Sequence, residues 1–310
     1  MERAYLGGTG LSVSRVILGC GNFGGVGSMP SLFGQGETKD EALTVMDAAW
    51  DAGITTFDTA DAYGGGRSET FIGEWIRSRR PDGLVVSTKT FAPMDEGEDH
   101  GLAPARVRRQ LESSLRRLGV ERVDMYLAHA WDPDVPIAET AGVFDELVAA
   151  GKVGAYGLSN VDGAQIGEAL AAGSFGWVQN SYSLLDRSVE AEVLPLCAEH
   201  GLGFTPFSPL AGGWLTGKYR RDEAAPAGSR MTLRPEPYEH LRADAVYDRL
   251  ERLAELGDPA TLALGWLLAD PRVTAVIVGP RRPEHLHPAL AAVAGPLGEA
   301  ERAELSALFP

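Results

Sequence analysis

The chain alternates short apolar runs with longer stretches of helical periodicity, and this alternation continues along almost its whole length. Each apolar run has the length and composition of a strand, and a helical stretch follows it sooner or later. Strands that are apolar at nearly every position lie in parallel sheets covered by helices on both faces. The eight runs are residues 15–19, 55–58, 84–88, 123–127, 153–157, 177–179, 203–206 and 275–278. The pattern predicts an α/β fold, a (β/α)8 TIM barrel.

Helical periodicity covers about residues 40–52, 68–79, 104–118, 137–150, 163–172, 189–200, 283–293 and 298–308. No linker or change of composition divides the sequence, so we expect residues 1–310 to form a single domain. Residues 5–13 form two short runs around a Gly-rich turn, which predicts an N-terminal β-hairpin that closes the bottom of the barrel. Residues 211–238, after the seventh strand, far exceed the usual βα connection, and this length is typical of a functional loop.

The charge of the chain limits its partners. Its 28 Lys and Arg residues stand against 43 Asp and Glu residues, a formal net charge of −15, which repels phosphate backbones and anionic lipid surfaces. We therefore expect no nucleic-acid partner, although a local basic pocket for one small phosphate group is compatible with this charge.

No apolar run is long enough for a signal peptide or a spanning helix, so we expect a cytoplasmic protein with no membrane partner. Cys20 and Cys197 are expected to be buried, reduced thiols, and the oligomeric state stays open.

A glycine motif after the first predicted strand matches the dinucleotide fingerprint. Gly19, Gly21 and Gly24 fit G-x-G-x-x-G, and Asp40 and Glu41 follow about twenty residues later. In a Rossmann fold the third glycine opens a helix whose N-terminus binds the pyrophosphate. Here a Gly-, Ser- and Pro-rich stretch follows instead. The motif is therefore interpreted as a glycine-rich loop at the mouth of the barrel.

Four residues that can move protons follow consecutive predicted strands. Asp58 and Tyr63 follow the second strand, Lys89 the third and His129 the fourth. Each alone could be structural, as a loop cap, a partly buried aromatic, a surface lysine or a core histidine. In a barrel, however, the carboxyl ends of the strands meet on the face where active sites lie. We therefore expect the four side chains to converge.

Together the four residues form a set in which the neighbours of Tyr63 adjust the pKa of its phenol. The Lys89 ammonium favours the phenolate and is expected to lower the pKa of Tyr63. Asp58 keeps Lys89 charged, and His129 adds a hydrogen bond to the substrate oxygen. Such a set gives a proton to an oxygen and involves no metal and no activated nucleophile. Proton delivery to a carbonyl oxygen implies hydride delivery to its carbon, which requires a nicotinamide cofactor because no side chain carries hydride.

Seven ordered motifs make the chain resemble the aldo-keto reductases over essentially its whole length. They cover residues 6–14, 57–64 (FDTADAYG), 87–89, 115–129, 151–160 (GKVGAYGLSN), 179–182 and 207–219. The resemblance implies a barrel that binds NADPH, with NADH possible, and reduces aldehydes or ketones with Tyr63 as the general acid. Potassium-channel β-subunit relatives replace the histidine at the position of His129, so its presence favours an active enzyme. Two alternatives stay open: a dehydrogenase that mainly oxidises a sugar or alcohol, and a cofactor-sensing binding protein similar to those β-subunits.

The resemblance also implies which residues bind the cofactor. The expected contacts to the nicotinamide are Ser159, Asn160, Gln179 and Phe207. Those to the pyrophosphate are Ser208, Leu210, Gly212, Lys218 and Arg230. The remaining expected cofactor contacts are Gly21, Asn22, Gly279, Arg281 and His285. Phe207 could instead be a core aromatic, and Arg230 a solvated loop charge.

The adenosine end departs from the family pattern. Arg281 or Arg282 is able to pair with a 2′-phosphate, which favours NADPH. Pro288 and Ala289, however, replace a Glu-Asn pair that is common in the family at this place. The carbonyl pocket is expected to be lined by residues beside the four proton-moving groups, although each could instead be plain packing. These candidates are Phe23, Trp131 and Trp214.

Overall fold

The structure is a computed structural model that describes residues 1–96 and 100–310. An antiparallel hairpin, β1 (Arg3–Tyr5) and β2 (Ser12–Ser14), opens the chain. Within the described residues eight parallel strands then follow in one sheet. They are β3 (Val16–Gly19), β4 (Thr56–Asp58), β5 (Val85–Thr90), β6 (Val123–Ala128), β7 (Val153–Ser159), β8 (Trp177–Gln179), β9 (Gly203–Phe204) and β10 (Val276–Val278).

The sheet curls until its two ends meet. β10 pairs with β3, and the remaining strands follow in chain order as far as β9. Backbone hydrogen bonds join the segments at the two ends: the Thr274 N–H donates to the Phe204 carbonyl (2.8 Å) and the Ile277 N–H to the Pro206 carbonyl (3.0 Å). Both the predicted (β/α)8 barrel and its N-terminal hairpin are confirmed.

Helices cover the outside of the sheet, and several begin at capping residues read directly from the sequence. The side chain of Thr38 accepts a hydrogen bond from the Glu41 N–H, and the Glu41 side chain accepts one from the Thr38 N–H. The helices are α1 (Lys39–Asp51), α2 (Arg67–Arg79), α3 (Pro104–Leu118), α4 (Ile137–Ala149), α5 (Gly163–Ala172), α6 (Val193–Glu199), α7 (Arg230–Leu233), α8 (Asp244–Leu256), α9 (Pro259–Leu268), α10 (His287–Ala294) and α11 (Glu299–Leu308).

Three features differ from the sequence-based expectation. α8 and α9 were not predicted, although they fill the seventh unit between the long loop and β10. The helix expected at 189–200 is shorter, because a start at Val193 places Pro195 in the first turn, where its missing N–H costs nothing. The long loop contains helical turns at Ala211–Thr216, in α7 and at Glu236–Leu241. No helix in the described ranges is both long and apolar enough to cross a membrane.

Alternate residues of each strand divide the core into two clusters. One lies between the sheet and the helices, and the other fills the barrel interior and includes Leu6 and Val13, which border the hairpin turn. In β5, Val85 joins the inner cluster whereas Val86 joins the outer one. The same period of two places Lys89 inside the barrel, four residues further toward the carboxyl end of the strand. This alternation brings a fully buried lysine to the mouth of the barrel.

Candidate active site

Lys89 and Asp58 form a buried ion pair at the carboxyl ends of neighbouring strands. The Lys89 Nζ lies 2.6 Å from Asp58 Oδ2 and donates a second hydrogen bond to the Thr59 carbonyl at 2.8 Å. Burial alone would lower the pKa of Lys89, but the Asp58 carboxylate and the Tyr63 oxygen oppose it, so the pKa lies above its ordinary value. Lys89 therefore carries its charge inside the barrel.

Tyr63 begins a 3-10 turn just after β4 and stays partly accessible. Its hydroxyl accepts a hydrogen bond from Lys89 Nζ (3.4 Å) and lies 3.4 Å from His129 Nε2. Burial raises the pKa of Tyr63 and outweighs the lowering by Lys89, so the pKa lies above its ordinary value. The expectation of a lowered pKa is wrong in direction, since it counted the neighbouring charge and not the loss of water. Tyr63 is a neutral phenol that retains its proton at neutral pH.

His129 directly follows β6 and faces Tyr63 edge-on, with ring centroids 5.4 Å apart. Burial, helped by the charge on Lys89, lowers the pKa of His129 to about 3, so the imidazole is neutral. Its Nδ1 is buried and has no hydrogen-bond partner among the residues that the structure describes. The side chains of Asp58, Tyr63, Lys89 and His129 thus converge in one place.

Gln179, Ser159 and Asn160 lie beside this group on β8 and at the end of β7. The Gln179 Nε2 donates to Asp58 Oδ1 (3.1 Å), so Asp58 is held by an amide as well as by Lys89. The Ser159 hydroxyl donates to the Gln179 carbonyl (2.7 Å), and the Asn160 amide to the His129 carbonyl (2.8 Å). Three residues expected at the nicotinamide therefore border the proton-moving group, and the Gln179 bond to Asp58 was not foreseen.

The turn after β9 carries four of the expected cofactor residues. The Phe207 ring is partly buried against the inner cluster, and its N–H donates to the Asn180 carbonyl at 3.1 Å. Ser208 (φ 52°) and Gly212 (φ 65°) adopt left-handed conformations, and Leu210 lies between them. A Cβ on Gly212 would lie 2.6 Å from the Tyr238 ring, so only glycine fits there.

Two cations of the long loop and one from the turn after β10 gather on the same face. Arg230 donates to the Asn22 side-chain oxygen, and Arg281 donates to the Gly228 carbonyl (2.6 Å). Burial lowers the pKa of Lys218, with Arg281 and Arg230 adding to the effect, so the three charges are close enough to repel one another. We call Lys218, Arg230 and Arg281 the cation cluster.

Four further residues expected to bind the cofactor connect the cation cluster to Tyr63. A Cβ on Gly21 would contact the Tyr63 ring at 3.5 Å, and Asn22 follows it in the chain. A Cβ on Gly279 would lie 3.7 Å from the Asn22 amide nitrogen. The Arg281 N–H donates to His285 Nδ1 at 3.2 Å. Gly21 and Asn22 thus lie between the surroundings of the phenol and Arg230 of the cation cluster.

The three residues expected to line the carbonyl pocket are not equivalent. Phe23 is fully buried, and Trp214 is 1% exposed, packs on Tyr219 and Tyr247 and donates to the Met231 sulfur. Neither presents surface to a substrate, because long-range packing encloses both rings in the core. Trp131, two residues after His129, keeps accessible surface.

Two other groups bear on the chemistry of this face. Cys20 and Cys197 are both buried, and burial raises the pKa of each thiol, so neither is a reactive nucleophile.

Glu37, which sequence reasoning missed, forms an ion pair with Arg281. An acid in a glycine-rich loop carries no local signal of a partner 244 residues away. Among the described residues no cluster of three or more His, Cys, Asp or Glu is arranged for a metal ion.

Comparison with known proteins identifies the family. The model of the Aldo/keto reductase family matches residues 15–309. Bacillus subtilis (strain 168) has an uncharacterized oxidoreductase, YrpG, that is 37% identical over 100% of this chain and 96% of its own length. An NADH-specific methylglyoxal reductase of Escherichia coli (strain K12) is 32% identical, with 97% of this chain and 96% of that protein covered.

A solved structure gives the same result. The holo form of aldo-keto reductase AKR11C1 from Bacillus halodurans matches with a TM-score of 0.83 and 28% identity, covering 100% of this chain and 97% of that one. The likeness thus extends over the barrel and over the loops at its mouth. Because the family model and these relatives cover nearly all of the chain, the protein belongs to the aldo/keto reductase family of oxidoreductases.

Proposed function

We propose that Tyr63 donates a proton to the oxygen of an aldehyde or ketone while the carbonyl carbon receives hydride. The observation that carries this proposal is the position of the Tyr63 hydroxyl, 3.4 Å from both Lys89 Nζ and His129 Nε2. A neutral phenol between a buried cation and a neutral imidazole is suited to general acid catalysis of this kind.

Each neighbour of Tyr63 has a separate task in the proposed step. Lys89 stabilises the phenolate that forms as the proton leaves, because its charge lies within hydrogen-bond distance of the oxygen. Asp58 keeps Lys89 charged and in position, and Gln179 orients Asp58. His129 is uncharged, so it orients the carbonyl oxygen by a hydrogen bond and does not compete with Tyr63 as the acid.

The residues around Tyr63 fit a nicotinamide dinucleotide. When bound, this cofactor supplies the hydride. Lys218 and Arg230 of the cation cluster suit its pyrophosphate, since an anion would offset both the burial that chiefly lowers the pKa of Lys218 and the repulsion by the neighbouring guanidinium groups. The left-handed turn at Ser208 and Gly212 leaves backbone N–H groups near the same place. Residues proposed to hold the cofactor are Gly21, Asn22, Ser159, Asn160, Gln179, Phe207, Ser208, Leu210, Gly212, Lys218, Arg230, Gly279, Arg281 and His285.

NADPH and NADH are both candidates for the cofactor. The sequence favours NADPH through Arg281 or Arg282, whereas the Escherichia coli relative is named for its specificity for NADH. The substrate is proposed to be a small carbonyl compound that reaches Tyr63 past Trp131. The same residues, with Tyr63 accepting the proton, would serve the oxidation of an alcohol. Cytoplasmic location stays a prediction.

The test of this function is Tyr63→Phe, which removes one hydroxyl and keeps the ring. Turnover of a panel of aldehydes and ketones, followed by nicotinamide absorbance, should fall by about 10²–10⁴-fold. The dissociation constant for the cofactor should change little, because the hydroxyl acts on the substrate. Tyr5→Phe is the matched control, since Tyr5 is 76% exposed and lies on the hairpin. Turnover by Tyr63→Phe within twofold of wild type would exclude the acid role. If the wild-type protein binds the cofactor but turns over no substrate in either direction, the binding-protein alternative is favoured.

A further inference from the structure

Glu37 places a buried carboxylate directly against the cation cluster. Its side chain is in the loop between β3 and α1 and is 3% exposed. One oxygen, Oε1, accepts a hydrogen bond from Arg281 Nε. The other, Oε2, is buried and has no hydrogen-bond partner in the described part of the chain. A carboxylate with an unsatisfied buried oxygen is costly, which suggests that its place beside Arg281 has a use beyond stability.

The backbone holds this carboxylate in place. The Glu37 N–H donates to the Asn22 carbonyl (2.8 Å), and the Gly24 N–H donates to the Glu37 carbonyl (2.8 Å). Arg281 is held on its other side by the Gly228 carbonyl of the long loop. Glu37 and Arg281 are therefore a fixed pair, and a ligand approaching Arg281 meets a cation that already has a counter-ion.

A cavity of about 220 Å³ adjoins this pair between the start of α1 and the turn after β10. Arg281 and Arg282 line one side, and Asp40 and Glu41 belong to the same lining. With Glu37, three carboxylates thus stand near two guanidinium groups. The local charge does not favour a further dianion, whereas carboxylates readily accept hydrogen bonds from hydroxyl groups.

The order of residues along this face would put the cavity at the far end of a dinucleotide held at Tyr63. Gly21 adjoins Tyr63, Asn22 contacts Arg230, and Arg281 lies beyond them at the cavity. If the nicotinamide is held at Tyr63 and the pyrophosphate at Lys218 and Arg230, the adenosine ribose would be held near Arg281. The ribose of NADPH carries a phosphate and that of NADH carries a hydroxyl, so the two cofactors differ at the group that would meet the Glu37–Arg281 pair.

We infer that Glu37 determines cofactor selectivity: by occupying Arg281 it makes the site bind NADH in preference to NADPH. The inference rests on the proposed function, because it requires a nicotinamide dinucleotide at Tyr63. It is the opposite of the preference for NADPH that Arg281 and Arg282 alone would predict. Arg281 has the charge to attract a phosphate, but Glu37 neutralises that charge and its free oxygen repels the incoming anion.

The experiment measures dissociation constants for NADH and NADPH by titration calorimetry, with no substrate present. Wild-type protein should bind NADH at least as tightly as NADPH. In Glu37→Gln the affinity for NADPH should rise by roughly tenfold or more, with NADH changed less than about threefold. Glu41→Gln removes the same charge from the cavity lining and preserves the helix cap. Because Glu41 is exposed, water screens its charge from Arg281, and the ratio of the two constants should shift by less than about threefold.

A double variant tests whether the effect acts through Arg281. Glu37→Gln with Arg281→Met should lose the gain in NADPH affinity; a gain that persists assigns it to another cation and overturns the inference. Equal shifts for both cofactors in Glu37→Gln also overturn it. So does a wild-type protein that binds NADPH tighter than NADH, an outcome independent of whether any variant folds. If neither cofactor binds the wild-type chain, the proposed function falls as well.

Discussion

Lys89 stays charged in a fully buried position because Asp58 and the Thr59 carbonyl replace the water that it loses. That charge opposes the effect of burial on Tyr63, whose pKa would otherwise rise further. Three side chains therefore act as one unit: a carboxylate that holds a cation, the cation, and the phenol whose ionisation the cation favours. Residues coupled in this way show non-additive losses when they are removed.

We predict such non-additivity for Lys89→Met and Asp58→Asn. Lys89→Met should raise the apparent pKa of the reductive pH–rate profile and lower the rate at neutral pH by about a hundredfold or more. Asp58→Asn should act in the same direction but more weakly, since the amine stays near Tyr63 with less to keep it charged. Once Lys89 is gone, Asp58→Asn should cost little more. A double-mutant cycle on kcat/KM across pH measures this, and strictly additive losses would show that the residues act independently.

At the scale of elements, α2 and α3 enclose a polar layer behind the turn that carries Tyr63. Glu69 of α2 is fully buried and accepts hydrogen bonds from the Thr88 hydroxyl and from Arg117 of α3, both at 2.6 Å. Asp61, two residues before Tyr63, is also fully buried there, and its N–H donates to the Lys89 carbonyl at 3.0 Å. Burial, ahead of a smaller repulsion by Glu69, raises the pKa of Asp61 to about 7.

This shift predicts a pH-dependent stability. Between the unfolded value near 4 and the folded value of about 7, the folded chain holds a proton that the unfolded chain has lost. The contribution of Asp61 to stability is therefore complete below about pH 4 and disappears as the pH rises through 7. Asp61→Asn should increase the unfolding free energy at pH 8 relative to pH 5 by about 1–4 kcal/mol compared with wild type.

Urea denaturation at both pH values checks this prediction. The difference between variant and wild type isolates Asp61 from other groups that titrate in the same range, His129 among them. Asp82→Asn, at an exposed position, is the control and should preserve the wild-type pH dependence. Parallel curves for Asp61→Asn and wild type would mean that Asp61 is ionised in the folded protein at pH 5.

At the scale of the whole molecule, a contact of Arg187 holds the C-terminal helix α11 against the barrel. Arg187 donates to the Ser306 and Phe309 carbonyls at 2.9 and 2.7 Å, and its guanidinium lies 5.6 Å from the Trp266 ring centroid. Phe309 itself is 1% exposed. One side chain from the unit after β8 thus anchors α11 to the barrel, and it satisfies carbonyls at the end of a helix that have no partner within it.

We predict that Arg187→Ala weakens this anchor. The unfolding free energy should fall by about 1–3 kcal/mol, because two carbonyls lose a charged donor. Hydrogen exchange should accelerate first in α11. The control is Arg220→Ala, whose side chain is 70% exposed in a loose pair with Glu223 and should contribute less than about 0.5 kcal/mol. Hydrogen exchange in α11 that is equally fast in the variant and the wild type would refute the anchor. If residues 1–310 form one domain, as the sequence predicts, far-UV dichroism and tryptophan fluorescence should report the same unfolding transition.

Much of the barrel and of the site can be read from local patterns. Apolar runs of strand length, separated by helical periodicity, predict parallel βα units, and the carboxyl ends of such strands share one face. For this reason the sequence alone is enough to group four residues that are spread over 72 positions of the chain: Asp58, Tyr63, Lys89 and His129. α8 and α9 escaped prediction because they follow a long irregular loop that obscures the period of the seventh unit.

The tertiary structure decided what depends on burial and on contacts between distant segments. The pKa of Tyr63 rises because the surrounding barrel removes water, an effect that the neighbouring Lys89 only reduces. Trp214 packs in the core because Tyr219 and Tyr247 enclose it, which its own position in the sequence does not reveal. The sequence determined which proton-moving residues share a face, because strand order and period are local properties; burial and pairing are not, so only the folded chain could bring Glu37 to Arg281.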